Sequence, residues 1–325
     1  MQVTHSGPIS TTVAVEASSL GGPWRDRASF VEFVLGSPRP AEVEIVAWSL
    51  RPLSRSLTEG RAVTRRAGAR VARAAASVGA VLPARWVAPR ADLVHLASGP
   101  ALLRLSAPAI VTVHRADAAL IGADPKAKRA LELLRQSTGE GVLVHAVTDE
   151  VADALVQFGR IERSSIVVAH PGVRGREIAP SEAGRPAIGV LAGRDPAHDR
   201  ATVDAISAIG GADAAIVGAS VRPRCCLVVA SPEAGFPTEA IEALSAGTPV
   251  VMATSPTAIS LLGGAVQLVD DGVVAELAEA AIELATNEAA RAVAVAAGRA
   301  RALDFSWERR AGDLMAAYRR ARHPL

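Results

Sequence analysis

Ten short apolar runs, each followed by a stretch of helical character, constrain the fold of this chain more than any other feature. The first series is "TTVAVEA" (11–17), "EVEIVAW" (42–48), "DLVHL" (92–96), "AIVTVH" (109–114), "VLVHAV" (142–147) and "SIVVAH" (165–170). A Gly-, Pro- and Arg-rich stretch from Pro171 to Pro186 follows, and then a second series: "AIGVLAG", "DAAIVGA", "CLVVAS" and "TPVVMA". Near-continuous apolar strands separated by helices belong to parallel sheets that are covered on both faces. The expected fold class is therefore α/β with two domains, residues 1–172 and 173–305, joined at a stretch whose composition supplies turns and little core. The remaining residues, 306–325, read as one amphipathic helix with Ser306 as N-cap and Trp307, Leu314 and Tyr318 as packing residues.

The composition supports two cores, since half of the 325 residues are apolar. The net charge is only +2, and just two of the basic residues are lysines, Lys126 and Lys128. Because the charge is spread along the chain and nearly balanced, it gives no footprint for nucleic acid. Cys225 and Cys226 are adjacent within an apolar run, so they cannot staple distant segments and are expected to be reduced. No apolar run approaches the roughly eighteen residues that a membrane span requires, and no basic-then-apolar leader opens the chain. A cytoplasmic location is the default expectation. One segment, "EGRAVTRRAGARVARAAA" (59–76), reads as a helix on which Arg65, Arg66, Arg70 and Arg73 share about half the circumference. Two readings stand for it: a peripheral contact with anionic lipid or a phosphorylated acceptor, and a solvated helix face.

Several chemistries lack their sequence supports. There is no phosphate-binding loop ending in Gly-Lys-Ser/Thr, no G-x-G-x-x-G, no Asp-x-Asp, no histidine pair at metal-ligand spacing and no G-x-S-x-G elbow. No cofactor or metal site is expected. What remains is "SPEAGFPTEAIEALSAGTPVV" (231–251), a turn leading into a short helix that Gly247 is placed to end. With Pro237 at the first helical position, the N–H groups of Phe236, Thr238 and Glu239 would face outward beside the positive end of the helix dipole, where an anion is favoured. Glu239 and Glu242 leave a second reading open, in which carboxylates simply complement an empty helix end.

Taken together, these segments resemble the retaining glycosyltransferases of the GT-B fold, specifically family 4, whose members use nucleotide sugars. The resemblance rests on "VAVEASSLGGPWRDRASFVEFVLG", "ADLVHL" with "AIVTVHRADAAL", "VHAVTDEVADALVQFGRIERSSIVVAHPGV", "CLVVASPEAGFPTEAIEALSAGTPVV" and the closing "FSWERRAGDLMAAYRRA". It implies two Rossmann-like domains facing each other across a cleft, with the terminal helix returning toward the first. It also implies a metal-independent, hexosyltransferase-type reaction in which a sugar passes from a nucleotide-sugar donor to an acceptor hydroxyl. On this resemblance Glu242 matches a glutamate that binds the ribose hydroxyls. Gly235, Phe236, Pro237 and Thr238 match a turn that approaches the sugar and diphosphate, and Arg194 matches a base that neutralises the diphosphate. His114 matches a histidine near the anomeric carbon, and Gly21 and Gly22 match a loop that lets the backbone approach the reacting groups.

The chain also departs from that pattern. The family places a second glutamate eight positions before Glu242, where this sequence has Ala234, with Glu233 one place earlier. His198 stands where a lysine often follows the arginine. Between Arg194 and Cys225 there is room for one helix and one strand, about one βα unit fewer than usual, so the second domain is expected to be shortened. These departures keep a catalytically inactive binding or partner subunit beside the active transferase as the alternative.

Overall fold

A computed structural model of the chain describes residues 11–17, 25–49, 63–65, 81–82, 88, 90–98, 104–116, 125–175, 186–218, 225–232, 234–270 and 273–322. It divides into two units, one of residues 1–172 with 307–325 and one of residues 173–306. Each is α/β with a parallel sheet.

In the first unit the strands are β1 (Thr11–Glu16), β2 (Val43–Ser49), β3 (Val63–Arg65), β5 (Leu93–Leu96), β7 (Ala109–Val113), β8 (Leu143–Ala146) and β9 (Ile166–Val168). They form one seven-stranded sheet in the order β3-β2-β1-β5-β7-β8-β9, parallel throughout. Two further strands, β4 (Val81–Leu82) and β6 (Arg104–Leu105), pair separately. The runs read as strands are strands because side chains on both faces are buried: all four residues of β5, all five of β7 and all four of β8 are in the interior. One face packs on α1 (Arg25–Gly36), through Phe30, Phe33 and Val34, and on the C-terminal helix α8 (Trp307–Arg322), through Leu314, Met315 and Tyr318. The remaining helices of this unit among the described residues are α2 (Pro125–Thr138) and α3 (Asp149–Gln157). The hydroxyl oxygen of Thr148 accepts the Val151 N–H at the start of α3.

Segment 59–76 differs from expectation at its centre. Val63–Arg65 is not helical but pairs with β2, Ser49 opposite Arg65, so Arg65 does not share a helix face with the other arginines. A β-branched Val63-Thr64 pair at a sheet edge outweighs the arginine spacing. Arg66, Arg70 and Arg73, like Gly21 and Gly22, lie outside the described residues.

The second unit holds β10 (Ala187–Leu191), α4 (Pro196–Ile209), β11 (Asp213–Val217), β12 (Cys226–Val229), α5 (Thr238–Ser245), β13 (Val250–Ala253), β14 (Gln267–Val269), α6 (Val274–Thr286) and α7 (Glu288–Ala302). Its five-stranded parallel sheet runs β11-β10-β12-β13-β14. Among the described residues between Arg194 and Cys225 the elements are α4 and β11, and β11 forms one edge of the sheet. Ile188, Val190, Val228, Val251, Leu277 and Ala281 build the core.

Both cysteines are free, and Cys226 is fully buried in β12. Burial pushes its thiol up to about 12, so it is unreactive in the native chain. A thiol reagent should therefore label at most Cys225 in the folded protein and both cysteines after denaturation. Two equally fast native thiols would contradict the burial of β12.

Candidate functional site

The carboxyl ends of adjacent parallel strands are where open α/β sheets bind ligands. In the second unit β10 and β12 are neighbours, with Val190 opposite Val228, so the loop after β10 and the turn after β12 emerge side by side. The first carries Arg194 and runs into α4, on whose first turn His198 lies, and the second leads into Gly235–Thr238 and Glu242.

The β10–α4 loop is tightly fixed. Asp195 caps α4, its Oδ1 accepting the N–H groups of Ala197 and His198 at 3.0 and 3.1 Å. One turn later Asp199, only 2% exposed, points back into the loop. Its Oδ2 accepts the Gly193 N–H at 2.7 Å and its Oδ1 accepts the Ser231 hydroxyl at 2.6 Å. Ser231 in turn accepts two more donors. The Arg194 N–H reaches its carbonyl at 3.1 Å and the Asp195 N–H reaches its Oγ at 3.1 Å. The approach is so close that a Cβ on Gly193 would lie 2.3 Å from the Ser231 carbonyl oxygen. All three amides from Gly193 to Asp195 are thus engaged inside the protein, while Arg194 and the capping Asp195 are both exposed. His198, half-buried, places its Nε2 in the interior without a hydrogen-bond partner.

The β12–α5 turn departs from expectation at two points. Pro237 is the residue before α5 rather than its first helical residue, and the Thr238 N–H donates to the Phe236 carbonyl at 2.9 Å instead of facing outward. The turn tightens on itself there, so Thr238 contributes no outward amide. Gly235, at φ 148°, takes a conformation that side-chain-bearing residues avoid. The buried Phe236 ring packs edge-on against Phe305 with centroids 5.5 Å apart. Ala234 is buried, and Glu242 is half-buried on the eight-residue helix α5. Gly247 ends that helix at φ 81°, its N–H on the Leu244 carbonyl at 3.0 Å. Glu233 lies outside the described residues.

In the first unit His114 follows β7 and is 5% exposed. Its Nε2 is 2.8 Å from the Ala97 carbonyl, which can only accept, so the ring carries a hydrogen on Nε2 and is held in one orientation. Beside it runs a buried chain that sequence reasoning missed. His145 donates from Nε2 to the Ala169 carbonyl (2.7 Å), its Nδ1 accepts from Thr112 (3.0 Å), Thr112 accepts from His95 Nε2 (2.7 Å), and His95 Nδ1 accepts from the Tyr318 hydroxyl (2.9 Å). Fixed at the carbonyl end, this order leaves both histidines neutral. Burial, reinforced by neighbouring histidines, holds His95 well below the ordinary value and His145 down to about 4. Burial also pushes the Tyr318 hydroxyl up. The available signal was a histidine in the middle of each of two apolar strands.

Among the described residues no group of three or more His, Cys, Asp or Glu side chains is placed to hold a metal ion, and no helix is long and apolar enough to cross a membrane.

Residues 33–174 match the family model described as Glycosyltransferase Family 4. No curated protein sequence matches the chain. Among solved structures, HepE from Anabaena in complex with UDP and glucose aligns with a TM-score of 0.67 at 15% identity, over 94% of this chain and 98% of that one. A glycosyltransferase from Rickettsia africae aligns with a TM-score of 0.64 at 14% identity, over 97% and 99%. The sucrose-phosphate synthase of Thermosynechococcus elongatus aligns with a TM-score of 0.64 at 14% identity, over 95% and 98%.

Proposed function

We propose that this chain, whose fold is that of GT-B proteins and whose residues 33–174 match the glycosyltransferase family 4 model, moves a sugar from a nucleotide-sugar donor to an acceptor hydroxyl without a metal ion and with retention of configuration. The observation that carries the reading is the locked pair of loops at the carboxyl ends of β10 and β12, with Arg194 exposed on one and Gly235–Thr238 and Glu242 following the other. The fold is shared over nearly its whole length with HepE, a protein solved with UDP-glucose.

In this reading Glu242 accepts hydrogen bonds from the ribose hydroxyls, and the Gly235–Thr238 turn lies against the sugar and diphosphate. Arg194 balances the charge that grows on the departing phosphate, with His198 beside it. His114, held in one orientation in the first unit, is the catalytic candidate there. Because its Nε2–H is engaged by Ala97, that nitrogen does not exchange protons with substrate. The acceptor oxygen bonds to the anomeric carbon on the face from which the diphosphate leaves, and its proton passes to the departing phosphate oxygen.

The test is a thermal-shift screen with UDP-, GDP- and ADP-sugars. A donor at a hundred times its Kd stabilises the native state by about 2.7 kcal/mol, and Glu242→Ala should abolish that shift while moving the ligand-free melt by no more than about 2 °C. No shift with any of the three would turn the reading to an inactive partner subunit. A full shift in the Glu242 variant would reject the assignment of the pocket.

A further inference from the structure

We propose that Asp199 is a positioning residue for the donor diphosphate: it binds no ligand itself but ties the Arg194 loop to the strand end that leads into the Gly235–Thr238 turn, so that the two act as one rigid anion site. This rests on the nucleotide-sugar reading above and goes beyond it, since neither the motif nor the fold assigns this carboxylate a role.

The connection is direct. Asp199 takes one hydrogen bond from each side, the Gly193 N–H and the Ser231 hydroxyl, at 2.7 and 2.6 Å. Both its oxygens are occupied and the residue is only 2% exposed, so neither oxygen is free to contact a ligand. Bonds of this charge-assisted kind are about twice as strong as neutral ones. Arg194 is the next residue after one anchored amide and the residue before another, and its own N–H is held by the Ser231 carbonyl. Its backbone is therefore held in place, while the residue itself is exposed. Without Asp199, Gly193 loses its acceptor and the Ser231 hydroxyl loses its own, and the loop is held only through the remaining bonds to Ser231. The arginine then has to be ordered by the ligand, and that ordering subtracts from the affinity.

An asparagine can keep the link. Its Oδ1 accepts the Gly193 N–H, and its Nδ2 donates to Ser231 Oγ. The conservative variant should therefore recover what alanine loses.

The experiment compares the full chain with Asp199→Asn and Asp199→Ala by calorimetric titration with UDP and with uridine, alongside hydrogen exchange of segments 192–197 and 231–238. Asp199→Ala should weaken UDP by at least about tenfold, the equivalent of 1.4 kcal/mol, leave uridine unchanged, and raise exchange in both segments together. Asp199→Asn should remain within about threefold of the parent for UDP, since most of the hydrogen bonding is retained. An equal loss for UDP and uridine would mean general loosening and would overturn the proposal. So would unchanged UDP binding in Asp199→Ala, or exchange that rises in segment 192–197 alone. If the parent chain binds UDP no better than uridine, the donor reading fails for this nucleotide. The joint rise in exchange still decides whether the carboxylate couples the two segments.

Discussion

Acidification from pH 7 to pH 4.5 will lower the melting temperature of the N-terminal unit by on the order of 10 °C, with most of the loss falling below pH 6.5. The sign follows from the two buried histidines. His95 and His145 are neutral in the folded chain and hold their protons far less readily than the ordinary value near 6.5. Between that value and about 4, the folded value for His145, the unfolded chain binds more protons than the folded one, so stability falls as the pH falls. Above pH 6.5 both states are neutral and the full contribution is present. Each histidine contributes a slope of about 1.4 kcal/mol per pH unit within the window, and His145 alone sums to roughly 3 kcal/mol across it. Protonation has a local consequence as well. A charged His95 donates from both nitrogens, so at Nδ1 the Tyr318 hydroxyl must turn from donor to acceptor and the direction of the chain at α8 reverses. Intrinsic fluorescence reports this unit selectively, because Trp24, Trp48, Trp86 and Trp307 all belong to it. Fluorescence-detected unfolding across pH 4.5–8 should show the slope, and His145→Gln, whatever its own stability, should show a shallower one. An identical slope in that variant would sever the acid sensitivity from the buried chain.

The strands were legible in the sequence because this fold buries both sheet faces, and an element such as Cys226–Val229 or Val250–Ala253 is apolar at nearly every position. Legibility stopped where elements were short or lay at an edge. Gln267–Val269 is three residues long at the border of its sheet, with Gln267 exposed, and the Val63–Arg65 strand is hidden among arginines whose spacing suits a helix. The turn before α5 was visible as a Gly-Phe-Pro motif, but the hydrogen bond that closes Thr238 onto Phe236 depends on backbone angles that the motif does not dictate. The site divides in the same way. Arg194 and Glu242 stand in recognisable local patterns, whereas Asp199 and Ser231 meet across 32 residues, and only the parallel pairing of β10 with β12 brings them together. His95 and Tyr318, 223 residues apart, are joined only because the chain's last described helix packs on its first sheet.

On the donor reading proposed above, Gly193→Ala is expected to remove diphosphate binding altogether and to destabilise the second unit by about 3–5 kcal/mol. The added Cβ would sit 2.3 Å from the Ser231 carbonyl oxygen and 2.4 Å from its Oγ, and neither is the free end of a flexible side chain. The carbonyl belongs to the backbone, and Oγ is fixed between Asp199 and the Asp195 N–H. The loop must therefore lift away from Ser231, and in doing so it stretches the Arg194 and Asp195 hydrogen bonds to that residue. Overpacking accounts for about 1–3 kcal/mol of the loss, and each weakened hydrogen bond for about 1 kcal/mol. A control lies in the same unit: an added Cβ at Gly218 meets nothing within 4 Å, so Gly218→Ala should be close to neutral. Hydrogen exchange in β10 and β12 and the UDP-induced shift should therefore change in Gly193→Ala and stay at the parent's level in Gly218→Ala. A Gly193→Ala chain that binds UDP as the parent does, with β10 and β12 equally protected, would mean that the loop is not held against Ser231 as described, and Arg194 would then owe its place to something other than this clasp.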